Sequence, residues 1–262
     1  MKTIGIIGFG NFGQFTAGHL NGQFDVTVSD AQDVKAAAKK IGVKAGSLTQ
    51  TASCDVVILA VPVQQMQSVL TDIKAHIKPN AIILDVASVK ERPAALMQAA
   101  MPKTVQLIGT HPLFGPQSGK DGLKGLDIIV CPVRAEKKTV KKMTALLTVL
   151  GLHVIEMTPN EHDQWMARTQ AVAHLMGRAA KELDLPKAPF KLATYDALVR
   201  LRDLVKDDSD ALFETIQNEN PNAAAEREKL ERKMLEIESR LADAKAQKVG
   251  PKPIKQPKKK EV

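Results

Sequence analysis

A histidine within a stretch rich in proline and glycine is the residue of this sequence best suited to proton transfer. His111 lies in GTHPLFGPQSG, which spans residues 109–119 and follows an apolar, strand-like run. The prolines and glycines of this loop hold it to few conformations. A fixed imidazole, whose ordinary pKa is about 6.5, can act as a general base near neutral pH, an effect worth roughly 10²–10⁴-fold in rate. The alternative interpretation is a structural histidine with satisfied hydrogen bonds.

A serine occupies a comparable place after the preceding predicted strand. Ser88 belongs to DVASVK, residues 85–90, at the carboxyl end of the fourth predicted strand. Doubly wound sheets bind ligands at the carboxyl edge, so Ser88 and His111 are predicted to contact one ligand at its reacting end. Ser88 also suits the cap of a helix that starts at Val89, either instead of this role or together with it.

A glycine-rich turn near the start of the chain predicts that one ligand is a dinucleotide. IGIIGFGNFG has the spacing G-x-G-x-x-G, after a strand-like run and before a helical one. The first glycine permits a tight turn, the second lets the backbone approach a pyrophosphate, and the third lets helix and strand pack closely. The helix N-terminus supplies free N–H groups. The predicted cofactor site comprises Gly8, Gly10, Asn11, Phe12, Gly13, Asp30, Val61 and Pro62.

An aspartate at the end of the second predicted strand favours NAD over NADP. Asp30 follows Gly13 by 17 residues, near the position where an acidic side chain binds the adenosine ribose hydroxyls. A carboxylate there repels a 2′-phosphate, and the neighbouring sequence has no arginine. Alternatively, Asp30 and Asp33 only cap the next helix.

The elements that must position these residues have the pattern of an α/β protein. Short apolar runs alternate with amphipathic stretches, which predicts a Rossmann-type, doubly wound, mostly parallel sheet over residues 1–157. The predicted strands are Thr3–Ile7, Val26–Val28, Val56–Ala60, Ala81–Asp85, Gln106–Gly109, Asp127–Val130 and His153–Glu156. The predicted helices are Phe12–Leu20, Asp33–Ile41, Val63–Ile77, Lys90–Ala100 and Ala135–Leu150.

The pattern changes to purely helical after residue 157. Residues 158–247 are predicted to form an all-α domain with helices over Asn160–Leu183, over Leu192–Asn218 and from Pro221 onward. Long helices with apolar stripes and few aromatic residues often pair with a second copy of the same chain. Residues 248–262 are rich in lysine and proline and poor in apolar residues, which predicts a disordered tail.

Charge and composition exclude several classes of function. The net charge of the 262 residues is +8, but residues 248–262 contribute +5 of it, so the predicted domains have no strong charge bias toward nucleic acid. Cys54 and Cys131 lie in or beside apolar runs and are interpreted as buried thiols of a reduced compartment. We find no metal-ligand spacing, no signal-peptide pattern and no apolar run of membrane-spanning length. These features predict a cytoplasmic protein that binds a small-molecule substrate.

The motifs together resemble one enzyme family. The glycine turn, DVASVK, THPLFGPQSG and EHDQWMARTQAVAHLMGR occur in the order seen in the prephenate/arogenate dehydrogenases of tyrosine biosynthesis. The resemblance extends from residue 1 to about residue 230. It implies NAD-dependent oxidative decarboxylation of prephenate to 4-hydroxyphenylpyruvate, or of arogenate to tyrosine. It also implies a homodimer formed by the helical domain, in line with the apolar stripes.

The resemblance assigns roles to individual residues. His111 matches the catalytic histidine that accepts the proton of the ring hydroxyl, and Ser88 matches the serine that hydrogen-bonds the same hydroxyl. The substrate carries carboxylates, so cationic side chains should line its site. His174 and Arg178 lie four residues apart on one predicted helix and therefore share a face. They are the predicted substrate contacts, although Arg178 suits a surface or interface ion pair equally well. Gln117 departs from the family pattern, because many relatives have an acidic residue there.

Two other functions remain open from the sequence. One is another two-domain NAD(P)-dependent dehydrogenase, acting on a small hydroxy acid. Such enzymes rely on a lysine of the interdomain helix, whereas Asn160–Leu183 has Lys181 only near its end. The other is a non-catalytic NAD-binding regulatory protein, which would not need Ser88 and His111 together at the substrate edge.

Overall fold

The structure, a computed structural model, describes residues 2–248 and contains one eight-stranded sheet with helices on both faces. The strands are β1 (Thr3–Ile7), β2 (Asp25–Ser29), β3 (Lys44–Ala45), β4 (Val56–Leu59), β5 (Ile82–Asp85), β6 (Gln106–Pro112), β7 (Asp127–Arg134) and β8 (His153–Glu156). The helices of this part are α1 (Asn11–Leu20), α2 (Lys35–Ile41), α3 (Leu48–Ala52), α4 (Val63–Ile73), α5 (Glu91–Ala100) and α6 (Lys137–Val149).

The strand order is β3-β2-β1-β4-β5-β6-β7-β8, and every pairing is parallel except that of β6 with β7. This arrangement confirms the predicted mostly parallel, doubly wound sheet, including its extension by the last two strands. In parallel strands the carboxyl ends lie at one edge. The residues that follow β1, β4 and β5 therefore meet at that edge.

The sixth strand is longer than predicted, which changes the setting of His111. The sequence predicts a strand that ends at Gly109, with His111 in the loop that follows. In the structure β6 continues to Pro112, because antiparallel β7 pairs with it and places His111 opposite Ile129. The prediction of a loop position for His111 is therefore wrong.

The sheet is covered by two separate apolar cores, one on each face. Successive strand residues point to opposite faces, so Ile6 packs with α1, α2 and α6, while its neighbour Ile7 packs with α4 and α5. Both cores are almost entirely aliphatic, as the low aromatic content predicts.

The helical part begins directly after the last strand. It comprises α7 (Pro159–Met166), a π-helical stretch (Ala167–Ala171), α8 (Val172–Glu182), α9 (Ala193–Val205), α10 (Asp210–Glu214), a second π-helical stretch (Thr215–Glu219) and α11 (Ala223–Lys248). Thr158 and Glu161 form a capping box at the start of α7, and Pro159 occupies its first turn. Helix α8 continues from α7 through the first π-helical stretch, as one long predicted helix requires.

The prediction of an unbroken helix over Leu192–Asn218 is wrong. The chain leaves α9 after Val205 and starts α10 at Asp210, because the hydroxyl of Ser209 accepts the N–H of Leu212 and caps a new helix. The predicted disordered tail, residues 248–262, lies outside the described residues except for Lys248. No helix within residues 2–248 is long and apolar enough to cross a membrane.

Candidate active site

The glycine turn has the geometry needed for a dinucleotide. Gly8 has a φ of +96°, and a side chain there would overlap the carbonyl oxygen of Ala60. A side chain on Gly13 would overlap the carbonyl oxygen of Gly8, so the helix packs closely on the turn. A Cβ atom at Gly10, by contrast, would have no described atom within 4 Å. The backbone at Gly10 is thus accessible to a ligand, whereas Gly8 and Gly13 are packed against other backbone atoms.

The other predicted cofactor residues surround this turn. Asn11 and Phe12 form the first turn of α1, and Gly10 precedes it as the N-cap. Val61 and Pro62 connect β4 to α4, and a Cβ at Gly8 would lie 2.9 Å from Cγ1 of Val61. These positions fit a dinucleotide whose pyrophosphate lies at the N-terminus of α1.

Asp30 is hydrogen-bonded to the glycine turn. One carboxylate oxygen accepts the N–H of Phe9 at 2.6 Å, and the other accepts the N–H of Gln32 at 3.1 Å. The next helix begins at Lys35, whose N–H donates to Asp33 at 3.0 Å. The alternative that Asp30 caps that helix is therefore wrong. The exposed carboxylate of Asp30 remains beside the turn, where a ribose would lie.

His111 is joined to two residues of α7. Its Nδ1 lies 2.8 Å from Nε2 of His162, and Nδ1 of His162 lies 2.7 Å from Oδ1 of Asp163. His111 is 3% exposed, and His162 and Asp163 are fully buried. The three side chains form a continuous hydrogen-bonded chain from the end of β6 into the helical part.

Asp163 also caps helix α5, which follows Ser88. Its Oδ1 accepts the N–H of Lys90 at 2.8 Å, and its Oδ2 accepts the N–H of Glu91 at 2.9 Å. Helix α5 starts at Glu91, and within the described residues no side chain of its own segment caps it. The alternative that Ser88 caps a helix starting at Val89 is therefore wrong. Ser88 lies half-buried in the segment that connects β5 to α5. Strand β5 pairs with β6, the strand that contains His111.

A buried ion pair lies behind His111. The Lys90 side chain is completely buried, and its ammonium group contacts Oδ1 of Asp85 and donates to the carbonyl oxygen of Thr110 at 2.7 Å. Gly109 makes room for this pair, because a Cβ there would lie 3.1 Å from Cδ of Lys90 and 3.2 Å from Oδ2 of Asp85. The pair is thus packed directly against the strand residue before Thr110.

Burial and charge hold the two histidines in the neutral form. Burial, followed by the charges of His162, Lys90 and His174, keeps the pKa of His111 well below its ordinary value. Burial also lowers the pKa of His162, against the opposing effect of Asp163. A neutral imidazole at neutral pH is the form that can accept a proton.

The predicted substrate contacts His174 and Arg178 lie together on α8, and each faces a carboxylate. Nδ1 of His174 is 3.4 Å from Asp208, and the guanidinium of Arg178 is 2.8 Å from Asp210. The Arg178 guanidinium also lies over the Phe213 ring, 4.8 Å from its centroid. Arg178 thus forms the ion pair that the sequence left as an alternative. Burial lowers the pKa of His174 and raises that of Asp208, while each partner opposes the other's shift.

The loop after His111 contacts the same segment. Nε2 of Gln117 donates to Oδ2 of Asp207 at 3.2 Å. The segment between α9 and α10 therefore contacts both α8 and the loop that follows β6. Lys181, the lysine considered for a hydroxy-acid dehydrogenase, donates to the carbonyl oxygen of Lys206 at 2.9 Å in an exposed contact.

His162, Asp163 and Lys90 are candidate site residues that the sequence pattern does not predict. The first two occur in a quoted motif, EHDQW, and Lys90 ends another, DVASVK. Their presence in these motifs, and their ionisable side chains, could have suggested a role in the site. Nothing in the linear pattern indicates that they are buried or lie near His111.

Comparison with known families gives two matches. The family described as "Prephenate dehydrogenase, nucleotide-binding domain" matches residues 19–156, which is more than half of the chain. A second match, "TYRAAT1-like, C-terminal domain", covers residues 179–252.

Curated relatives and solved structures resemble the chain over most of its length. Arogenate dehydrogenase 2, chloroplastic, of Arabidopsis thaliana is 31% identical over 87% of this chain and 66% of its own length. The probable arogenate/prephenate dehydrogenase of Methanocaldococcus jannaschii is 29% identical over 84% of this chain and 52% of its own length. The chain thus spans less than two thirds of the length of these relatives.

A solved structure shows the same fold. The prephenate dehydrogenase of Aquifex aeolicus, in complex with hydroxyphenyl propionate and NAD⁺, superposes with a TM-score of 0.75 at 19% identity. The match covers 95% of this chain and 93% of that one.

Proposed function

The chain belongs to the prephenate and arogenate dehydrogenase family, and we propose that it oxidises and decarboxylates one of these two acids with NAD⁺. The observation that carries the proposal is the position of His111. It is a buried, neutral imidazole at the carboxyl edge of the sheet and is hydrogen-bonded to His162. It lies within one of the family motifs, THPLFGPQSG. This edge also contains the open backbone of Gly10.

His111 acts as the general base. Its neutral ring accepts the proton of the substrate's ring hydroxyl, and Ser88, which lies between the neighbouring strand β5 and helix α5, hydrogen-bonds the same hydroxyl. Removal of that proton favours formation of the carbonyl while the carbon gives up its hydrogen and electron pair. Carbon dioxide then leaves as the ring becomes aromatic. A positioned base of this kind contributes roughly 10²–10⁴-fold.

NAD⁺, when bound, supplies the acceptor for that hydrogen and electron pair. The turn formed by Gly8, Gly10 and Gly13 would hold its pyrophosphate, with Asn11 and Phe12 opening the helix beneath. Asp30 would accept hydrogen bonds from the adenosine ribose and repel the additional phosphate of NADP. The proposal of NAD rather than NADP depends on this carboxylate.

The groups at the other end of the site favour arogenate over prephenate. Arogenate carries an ammonium and a carboxylate on its side chain, whereas prephenate carries a keto group and a carboxylate. Asp208 beside His174 and Asp210 beside Arg178 place one carboxylate next to the imidazole and one next to the guanidinium. Such a pair complements a zwitterion, while a keto acid would leave the carboxylates without a new partner.

The helical part is proposed to form a homodimer. Within the described part of the chain it has only six buried hydrophobic residues, four of them alanines. It nevertheless exposes several large hydrophobic side chains, which are Trp165, Met176, Leu204, Met234, Leu235 and Leu241. A second copy would cover such a surface. We also propose a cytoplasmic location, consistent with the free, buried thiols of Cys54 and Cys131. Sedimentation of the purified protein and imaging of a tagged chain test these two points.

The activity is tested by following NADH absorbance with the purified protein. Prephenate and arogenate are offered separately, each with NAD⁺ and with NADP⁺. We expect turnover with NAD⁺ and a higher kcat/KM for arogenate. His111→Ala should remove most of the turnover while NAD⁺ binding persists. Failure of the wild-type protein to turn over either acid while it binds NAD⁺ would contradict the proposal and favour a regulatory protein.

A further inference from the structure

We propose that His162 and Asp163 are positioning residues that hold His111 in the tautomer with its proton on Nδ1, leaving Nε2 free to accept the substrate's proton. The inference rests on the proposed function of His111 and deepens it, because it states which ring nitrogen of each histidine carries the proton. It follows from the direction of two hydrogen bonds, one from His162 to Asp163 and one from His111 to His162.

The surroundings of Asp163 fix the direction of the first hydrogen bond. Its two oxygens accept N–H groups of Lys90 and Glu91, at 2.8 and 2.9 Å, in the first turn of α5. The positive end of the helix dipole at that turn favours a negative charge. Each oxygen thus faces a backbone N–H, which can only donate, and these are the partners of a carboxylate that only accepts. Nδ1 of His162, 2.7 Å away, is therefore the donor.

The second direction follows from the first. His162 is fully buried and neutral, and a neutral imidazole carries one N–H. Because that hydrogen is on Nδ1, Nε2 of His162 is an acceptor. It lies 2.8 Å from Nδ1 of His111, which must then donate. His111 is neutral as well, so its Nε2 carries the free lone pair.

The same hydrogen-bonded side chains stabilise the product of proton transfer. When Nε2 of His111 takes the hydroxyl proton, the ring becomes an imidazolium that still donates through Nδ1 to His162. The carboxylate of Asp163 lies beyond the His162 ring, and its negative charge stabilises the new positive charge. The arrangement corresponds to the aspartate of a Ser-His-Asp triad with one additional imidazole in between. Charged or titratable groups near His111 also include Lys90, His174 and, across Lys90, Asp85.

The tautomer is measured directly by NMR on the full chain labelled with ¹⁵N in its histidine rings. Two-bond ¹H–¹⁵N correlations distinguish a protonated from an unprotonated ring nitrogen, and His111→Asn identifies the His111 signals. We expect the wild-type protein at neutral pH to show His111 protonated on Nδ1 only. His111 protonated on Nε2 would overturn the proposal. Because this spectrum requires no turnover, it decides the inference even where the proposed activity fails.

Two substitutions of His162 separate positioning from packing. A glutamine can donate to Asp163 with its amide nitrogen and accept from His111 with its oxygen, whereas a leucine can do neither. We expect His162→Leu to lower kcat about 10²-fold with little change in KM, and His162→Gln to recover most of that loss. Equal kcat values for the two variants would overturn the proposal.

Asp163→Asn tests the direction of the hydrogen bonds that join His111, His162 and Asp163. An amide nitrogen at the Oδ1 position would donate to Nδ1 of His162, with loss of the hydrogen bond from the Lys90 N–H. It would move the His162 proton to Nε2 and, in turn, the His111 proton to Nε2. We expect kcat to fall about 10²–10⁴-fold, with NAD⁺ binding kept. His153→Gln is the matched control, since His153 forms a similar pair with Asp127 at 2.6 Å, exposed on β8 and β7. Should Asp163→Asn not fold, the wild-type spectrum and the His162 pair remain decisive.

Discussion

Lys90→Met tests the buried ion pair behind His111. The substitution replaces a completely buried ammonium by an apolar group of similar length and leaves Asp85, itself 1% exposed, without its cation. Oδ2 of Asp85 already has no hydrogen-bond partner among the described residues. Burial raises the pKa of Asp85, and Lys90 is the main group that opposes the rise. Lys90→Met should therefore leave a carboxyl group that is costly to keep ionised.

The expected size of the effect follows from the burial of both partners. Removal of one member of a buried pair costs about 3–5 kcal/mol. For a protein of this size, each kcal/mol lowers the Tm by about 2–4 °C, so we expect a decrease of roughly 6–20 °C. The double variant Asp85→Asn/Lys90→Met has no buried charge at this place and should recover most of the loss.

The assay is thermal and urea unfolding of the wild-type protein and the variants at neutral pH. Lys78→Met is the matched control, because Lys78 pairs with Asp55 at 3.1 Å on the surface, where an ion pair contributes at most about 1 kcal/mol. If Lys90→Met unfolded within the range of the Lys78 control, or if the double variant were as unstable as Lys90→Met, the reasoning would be refuted. Where activity survives, loss of the nearby cation should also raise the pKa of His111 and move the acid limb of kcat/KM to higher pH.

Three further outcomes are expected. Asp30→Ser should raise the ratio of kcat/KM with NADP⁺ to that with NAD⁺ by about 10-fold, since a repelling carboxylate is lost; an unchanged ratio would contradict the cofactor assignment. Gly13→Ala should lower the Tm because its Cβ overlaps a backbone oxygen, whereas Gly10→Ala should keep the Tm and weaken NAD⁺ binding measured by fluorescence titration; equal Tm values for both would contradict the geometry. The pKa values of His111 and His162 are lowered on folding, so the unfolded chain binds more protons below about pH 6.5, and the urea midpoint should fall as the pH is lowered from there; a midpoint constant down to pH 5 in the wild-type protein would oppose this.

The fold was largely predictable because hydrophobic periodicity determines it. Each strand buried on both faces, such as Thr3–Ile7, appears as an apolar run. The two-residue edge strand β3 has no such run, because Lys44 and Ala45 are exposed. Helix α3 is only five residues long, yet Ser47 and Gln50 form a capping box that would have indicated its start.

The candidate site was only partly predictable. His111, Ser88 and the glycine turn were identified because they follow strand-like runs. His162 lies 51 residues from His111, and no local pattern encodes which side chain meets it. Lys90 was not predictable as a site residue because a lysine is ordinarily exposed. Its burial depends on Asp85 and on the carbonyl oxygen of Thr110, a contact made across two strands.

The cap that Asp163 forms on α5 has a consequence for how the protein unfolds. The sheet ends at Glu156, yet the first helix after it supplies a carboxylate to two N–H groups of α5 and an imidazole to His111. A fragment cut after residue 157 would leave those N–H groups uncapped and the His111 ring without its acceptor. The strands and the helical part therefore meet at residue 157, but the contacts that stabilise the sheet part continue into helix α7. We therefore expect helix α7 to unfold together with the sheet, and any relative movement of the two parts to occur beyond α7.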